Sequence, residues 1–214
     1  KKWGPYRYQL KVEKLGKAIS RIGEDYCLLP PVFIGLAEVE NSGVLDDLIQ
    51  SEGLQYLPYD YVHYDSPDER GIDTALLYNK DLFELLESKA IPIILYGTNK
   101  VRDYTRDILY VKGILNNELV HIYVNHWPSK RSGFDETRLK RIEIARILHQ
   151  KIDTIEEENP KVIIMGDFND NPDDDSIYKH LVSEKYINPS LKLYQNGKGA
   201  SKFYGQWMLF DQII

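Results

Sequence analysis

The chain has 214 residues, 43% of them apolar, with a formal net charge of −6 and one cysteine. That length supports one sizeable core, and no apolar run is long enough to span a bilayer. A single cysteine excludes an internal disulfide and a cysteine-based zinc centre, and the acidic balance disfavours tight binding of a nucleic-acid duplex by backbone charge.

Val12, Leu15, Ile19 and Ile22 recur at helical spacing and predict a first helix. Cys27 reads as a small buried hydrophobe, since no motif surrounds it. After the break at Pro30-Pro31, residues 32–36 read as a strand that ends at Ala37-Glu38-Val39-Glu40-Asn41, followed by a short helix through Val44, Leu45, Leu48 and Ile49. Strand-like runs come next at 61–63, 74–78, 91–95, 108–115 and 119–124, the last two separated by the turn residues Asn116-Asn117-Glu118. Leu139, Ile142, Ala145, Leu148, Ile152 and Ile155 predict a longer helix. A strand over 162–165, a short helix near 176–182, a polar loop at Asn196-Gly197-Lys198-Gly199 and a strand over 209–214 complete the series. Several strands follow one another directly, so the pattern predicts a mixed, largely antiparallel α/β layered sandwich in one domain, 1–214, rather than a doubly wound parallel sheet.

The most informative stretch is Met165-Gly166-Asp167-Phe168-Asn169, where a buried strand runs into a loop rich in breakers. Alternation puts Asp167 and Asn169 on one face: a carboxylate that can hold a metal or activate water, beside an amide that can orient an anion. Glu38 shares parity with Val32, Ile34 and Leu36, which places a carboxylate at the rim of the core, where a hard cation binds well. His126 ends another strand and precedes the basic loop Ser129-Lys130-Arg131, so it can protonate or hydrogen-bond a phosphoryl oxygen, with Lys130 and Arg131 reaching substrate. Asp73 opens a strand and is the aspartate expected to hold that imidazole. Arg106 is read either as a bidentate phosphate clamp or as the surface partner of Asp103 or Asp107. Asp211, inside a terminal apolar strand, requires a partner. His63, His121, His149 and His180 lack metal-ligand spacing and read as structural, and Trp207 reads as core or cleft wall.

Taken in order, these residues resemble the endonuclease/exonuclease/phosphatase superfamily of deoxyribonuclease I-like phosphoesterases. Gly166-Asp167-Phe168-Asn169 fits its Gly-Asp-x-Asn motif, Leu36-Ala37-Glu38-Val39 its metal-binding glutamate strand, and Asn125-His126-Trp127-Pro128-Ser129 its histidine strand. Asp73 falls at the histidine's carboxylate partner, Thr105-Arg106-Asp107 at a phosphate-contacting arginine, and Phe210-Asp211-Gln212-Ile213-Ile214 at a strand whose aspartate pairs with a final histidine. The resemblance implies a four-layer α/β/β/α sandwich of two mixed sheets, a Mg²⁺ or Mn²⁺ ion held by Glu38 and Asp167, and hydrolysis of a phosphodiester, such as nucleic acid, by Asp-activated water. A phosphatase of a phosphorylated metabolite or lipid head group, and a non-catalytic binding module of the same fold, are the alternatives. The family's N-terminal asparagine strand and C-terminal Ser-Asp-His segment are not in the sequence; both ends break off abruptly, and we expect truncation.

Overall fold

The computed structural model describes residues 3–27, 29–97, 100–130, 133–182 and 186–214. In chain order its elements are α1 (Pro5–Ser20), β1 (Phe33–Val39), α2 (Ser42–Ile49), β2 (Tyr59–His63), β3 (Asp73–Asn79), β4 (Phe83–Ile91), β5 (Leu95–Tyr96), β6 (Arg102–Asp103), β7 (Ile108–Leu115) and β8 (Glu118–His126). Then come α3 (Phe134–Asp153), β9 (Lys161–Asp167), α4 (Asp175–Tyr178), α5 (Pro189–Gln195), β10 (Ser201–Phe203), β11 (Gln206–Met208) and β12 (Asp211–Ile213).

Helix α1 starts with proline in its first turn, where a backbone N–H would go unused, and turns Val12, Gly16 and Ile19 inward. The side chain of Asn41 caps α2 by accepting the Val44 N–H at 3.2 Å. Both helices cover one face of a three-stranded antiparallel sheet ordered β1-β3-β2. Strand β3 is buried on both faces, so its side chains divide by parity. Ala75 and Leu77 meet Ile19, Leu45 and Leu48 from the helices. Leu76 and Tyr78 meet Leu109, Val111, Ile122, Val124 and Met165 of the second sheet.

That second sheet has five strands in the order β12-β9-β8-β7-β4. All its pairs are antiparallel except β8 and β9, which lie parallel because α3 carries the chain back between them. Ile144, Ala145, Leu148 and Ile152 of α3 pack on its outer face against Ile108, Tyr123 and Ile164. The result is the α/β/β/α sandwich expected from the resemblance. Each wholly buried aliphatic in these layers contributes roughly 1.5–3 kcal/mol.

Two glycines set how closely strands and sheets approach. At Gly166 (φ 139°) an added Cβ would collide with the Asn125 carbonyl of β8. At Gly35 it would come within 2.7 Å of Met165 Sδ, across the gap between the sheets.

Several elements depart from the sequence reading. Strand β4 occupies Phe83–Ile91, because its polar residues face solvent on an edge strand and a bulge between Leu85 and Glu87 breaks the alternation. Helix α5 and the β10–β11 hairpin were not anticipated, being short and largely exposed. Leu139 is 64% exposed rather than part of the buried stripe, which runs through Thr137, Arg141, Ile144 and Leu148. Cys27 is exposed, since the chain has left α1 and turns in solvent there. Trp207 lies half-exposed on β11 under the ammonium of Lys202, neither core nor cleft wall.

Candidate functional site

One end of the sandwich opens into a cleft of about 470 Å³ whose wall includes Glu38, Arg70, Arg106, His126, Asp167 and Asn169. Glu38 arrives from the three-stranded sheet by a route that strict alternation misses. The β1–β3 register shifts between Ala37 and Val39, and Glu38 takes the left-handed conformation (φ 60°). The bulge hands the buried position beside Leu45 and Leu48 to Val39 and leaves the Glu38 carboxylate exposed at the cleft. Its parity with Ile34 and Leu36 is therefore broken.

Strand β9 supplies Asp167, and the chain turns sharply after it, with Asn169 also left-handed (φ 50°). The Asn169 backbone N–H donates to Asp167 Oδ1 at 2.9 Å, and its side-chain amide donates to the Trp127 carbonyl at 2.8 Å. Trp127 is buried edge-on against Phe168 and ties its indole N–H to Asn125 Oδ1 at 3.1 Å. The ends of β8 and β9 are thus joined through their aromatic residues. Burial pushes the Asp167 carboxyl up to about 6, with Asp211 and Glu38 adding repulsion against the Asn169 hydrogen bond and Arg106. Asp211 is the cross-strand partner of Asp167, so its neighbour is another carboxylate; desolvation raises it as well. The partner expected for Asp211 is not present among the described residues.

His126 lies buried with Nε2 3.8 Å from Asp167 Oδ2. Burial, helped by the charges of Arg106 and Arg70, lowers it to about 3, so the imidazole is neutral. Asp73 does not hold it. Asp73 instead accepts from the Ser66 N–H at 2.8 Å and hydroxyl at 2.5 Å, and its Oδ2 lies 3.2 Å from His63 Nε2. Because β2 and β3 are adjacent in one sheet, His63 reaches Asp73 first. With Asp65 this pair forms a group of possible ligand atoms all within 4.8 Å of one another, away from the cleft.

Arg106 is neither a free clamp nor a surface ion pair. Its Nη1 donates to Asp68 Oδ1 at 2.9 Å, Nη2 to the Trp127 carbonyl at 2.8 Å and Nε to the His126 carbonyl at 3.2 Å, all in buried surroundings. Lys130 is equally committed, to Asp170 at 3.0 Å and Asp174 at 2.9 Å, where Arg141 also meets Asp170 at 2.7 Å. Arg131 lies outside the described residues. One cation that the sequence reading passed over is Arg70, which lines the cleft with its side chain 55% exposed and lies 3.8 Å from Asp68. Its signal was present in Pro67-Asp68-Glu69-Arg70-Gly71, a charged turn leading into a buried strand.

The cleft therefore gathers the Glu38 and Asp167 carboxylates and the Asn169 amide at the ends of strands from two sheets, beside one neutral imidazole, with Asp211 next to Asp167 on the neighbouring strand. Oxygen donors facing one cleft suit a hard divalent cation, whose charge would offset the burial and the weaker repulsion that lift Asp167. No curated protein matches the sequence. Solved structures share the fold at low identity. A humanized D. rerio TDP2 carrying 14 mutations is 17% identical with a TM-score of 0.67, the alignment covering 95% of this chain and 76% of that one. D. rerio TDP2 complexed with single strand DNA product is 16% identical with a TM-score of 0.65, covering 96% and 76%. A mutant beta toxin from Staphylococcus aureus with bound magnesium ions is 17% identical with a TM-score of 0.61, covering 94% and 76%. The endonuclease/exonuclease/phosphatase family matches over residues 1–214, and the chain belongs to that family.

Proposed function

We propose that the chain is a divalent-metal-dependent phosphodiesterase, with nucleic acid as its most fitting substrate class. The observation that carries this reading is the meeting of Glu38, Asp167, Asn169 and His126 in one cleft. The magnesium ions of the beta toxin and the DNA product of TDP2 add support from the same fold.

Glu38 and Asp167 would hold the ion, with Asn169 Oδ1 and Asp211 as further oxygen donors. When bound, a Mg²⁺ or Mn²⁺ ion supplies charge stabilisation to the phosphoryl oxygens. Asp167 orients the attacking water and takes its proton. Asn169 fixes that carboxylate through its backbone N–H. His126 is neutral and donates an N–H to a phosphoryl oxygen without having to carry charge. Arg106 holds the two carbonyls behind His126 and Trp127, whereas Arg70, from the cleft wall, meets the substrate's phosphate.

The test incubates the full-length protein with single-stranded and plasmid DNA, bis-(p-nitrophenyl) phosphate and p-nitrophenyl phosphate, in Mg²⁺, in Mn²⁺ and in EDTA. Diester cleavage that EDTA abolishes and Asp167→Ala eliminates is the expected result. Preference for the monoester would replace this reading with a phosphatase. No turnover of any substrate with either metal would leave a binding module.

A further inference from the structure

On the opposite side of the five-stranded sheet lies a cavity of about 690 Å³, within the size range of small-molecule sites. It exists because α3 ends at Asp153 before it has covered the sheet. The chain then crosses to β9 through residues 154–160 and leaves the outward side chains of β4, β7 and β8 partly roofed. Where the helix covers them, these strands present Ile108, while Ile91 and Tyr123 reach from the core to the cavity's edge. Beyond it they present Lys89, Tyr110, Lys112 and His121, which line the cavity together with Lys151 and Glu157.

His121 is 2% exposed, and its Nδ1 lies 2.9 Å from the Tyr110 hydroxyl. A carboxylate, Glu157, faces the other ring nitrogen, Nε2, and favours the tautomer with its proton there, the Tyr110 hydroxyl then donating to Nδ1. Among the described residues Nε2 has no hydrogen-bond partner; Glu157 Oε1 lies 3.6 Å from it. A buried N–H donor left unsatisfied is costly, so a better acceptor placed there is favoured. Glu157 is instead drawn to Lys112 at 2.8 Å, and its side chain is one-third exposed and able to leave. Lys89 stands over the Tyr110 ring at 4.9 Å, and Lys151 has no ion-pair partner among the described residues. The position between Lys112 and His121 is thus shaped for an oxyanion, and the protein's own carboxylate fills it imperfectly.

We propose that this cavity is a second binding site, remote from the metal-binding cleft, for a small molecule bearing a phosphate or carboxylate on an apolar body. The ligand's oxyanion displaces Glu157, accepts from His121 Nε2 and Lys112, and draws Lys151 towards it, while its body rests on Tyr110 and Ile155.

The probes are phenyl phosphate and benzoate, titrated in EDTA against the full chain with ¹⁵N-labelled histidine. His121 reports this site and His126 the cleft. A saturable shift of the His121 ring nitrogens is expected, with phosphate-only or carboxylate-only response identifying the head group. Glu157→Ala, which removes the internal competitor, should tighten binding about tenfold, and Lys112→Met should weaken it about tenfold. No His121 response at millimolar probe in either the parent protein or Glu157→Ala overturns the proposal. So does a shift confined to His126, or equal affinity in all three proteins. Because the readout needs no turnover, it stands or falls separately from the phosphodiesterase reading.

Discussion

Arg106→Met removes a guanidinium whose charge partner, Asp68, has its side chain only 4% exposed. The substitution deletes one buried ion pair and two hydrogen bonds to the His126 and Trp127 carbonyls, and it strands the Asp68 carboxylate away from water. Breaking a buried pair from one side costs about 3–5 kcal/mol. At roughly 2–4 °C per kcal/mol for a domain of this size, the melting temperature should fall by about 6–20 °C. The double substitution Arg106→Met/Asp68→Leu leaves neither charge unpaired and should recover most of that loss. Urea and thermal unfolding of the metal-free proteins, followed by tryptophan fluorescence and circular dichroism, measure both effects. If Arg106→Met melts with the parent protein and only weakens substrate binding, or if the double variant is no better than the single one, the structural clamp is wrong and Arg106 is a phosphate ligand after all.

Asp167→Asn should stabilise the metal-free protein while abolishing turnover. The folded carboxyl titrates near 6 against an ordinary 3.8, so its ionisation opposes folding by about 1–3 kcal/mol above pH 6. That penalty is absent below the unfolded value, so the gain should fade between pH 6 and pH 4; denaturation in EDTA across that interval tests it, and an equal gain at pH 3 would contradict it. Gly166→Ala should cost more than about 3 kcal/mol, since the new methyl meets the Asn125 carbonyl at a backbone angle closed to alanine; soluble yield and urea midpoint check this. His63→Ala should lower stability yet leave measurable diester cleavage, whereas His126→Ala should lose it. Equal kinetic losses would mean that the Asp73 pair serves the reaction directly.

The layered fold was legible because the apolar periods of β1, β3, α3 and β9 are strong, and strand-end motifs pointed to Glu38, His126, Asp167 and Asn169 as neighbours. What escaped detection has local causes. The bulge at Glu38 cannot be read from alternation, because one inserted residue reverses every face beyond it. Asp73 was assigned to the wrong imidazole because strand adjacency, which the sequence does not state, brings His63 closer. Arg106 and Lys130 looked like ligands for an anion because a sequence shows charge but not the carboxylates Asp68, Asp170 and Asp174 already waiting for it.

Glu38 belongs to one sheet and Asp167 to the other, and side-chain packing between the leaves does much to hold them in register. A slip of a single pleat would preserve every chemical group and forfeit their convergence. Bare at its α-carbon, Gly35 lies against the flexible thioether of Met165, so a methyl there would push that side chain aside and disturb the packing that sets the gap between the leaves.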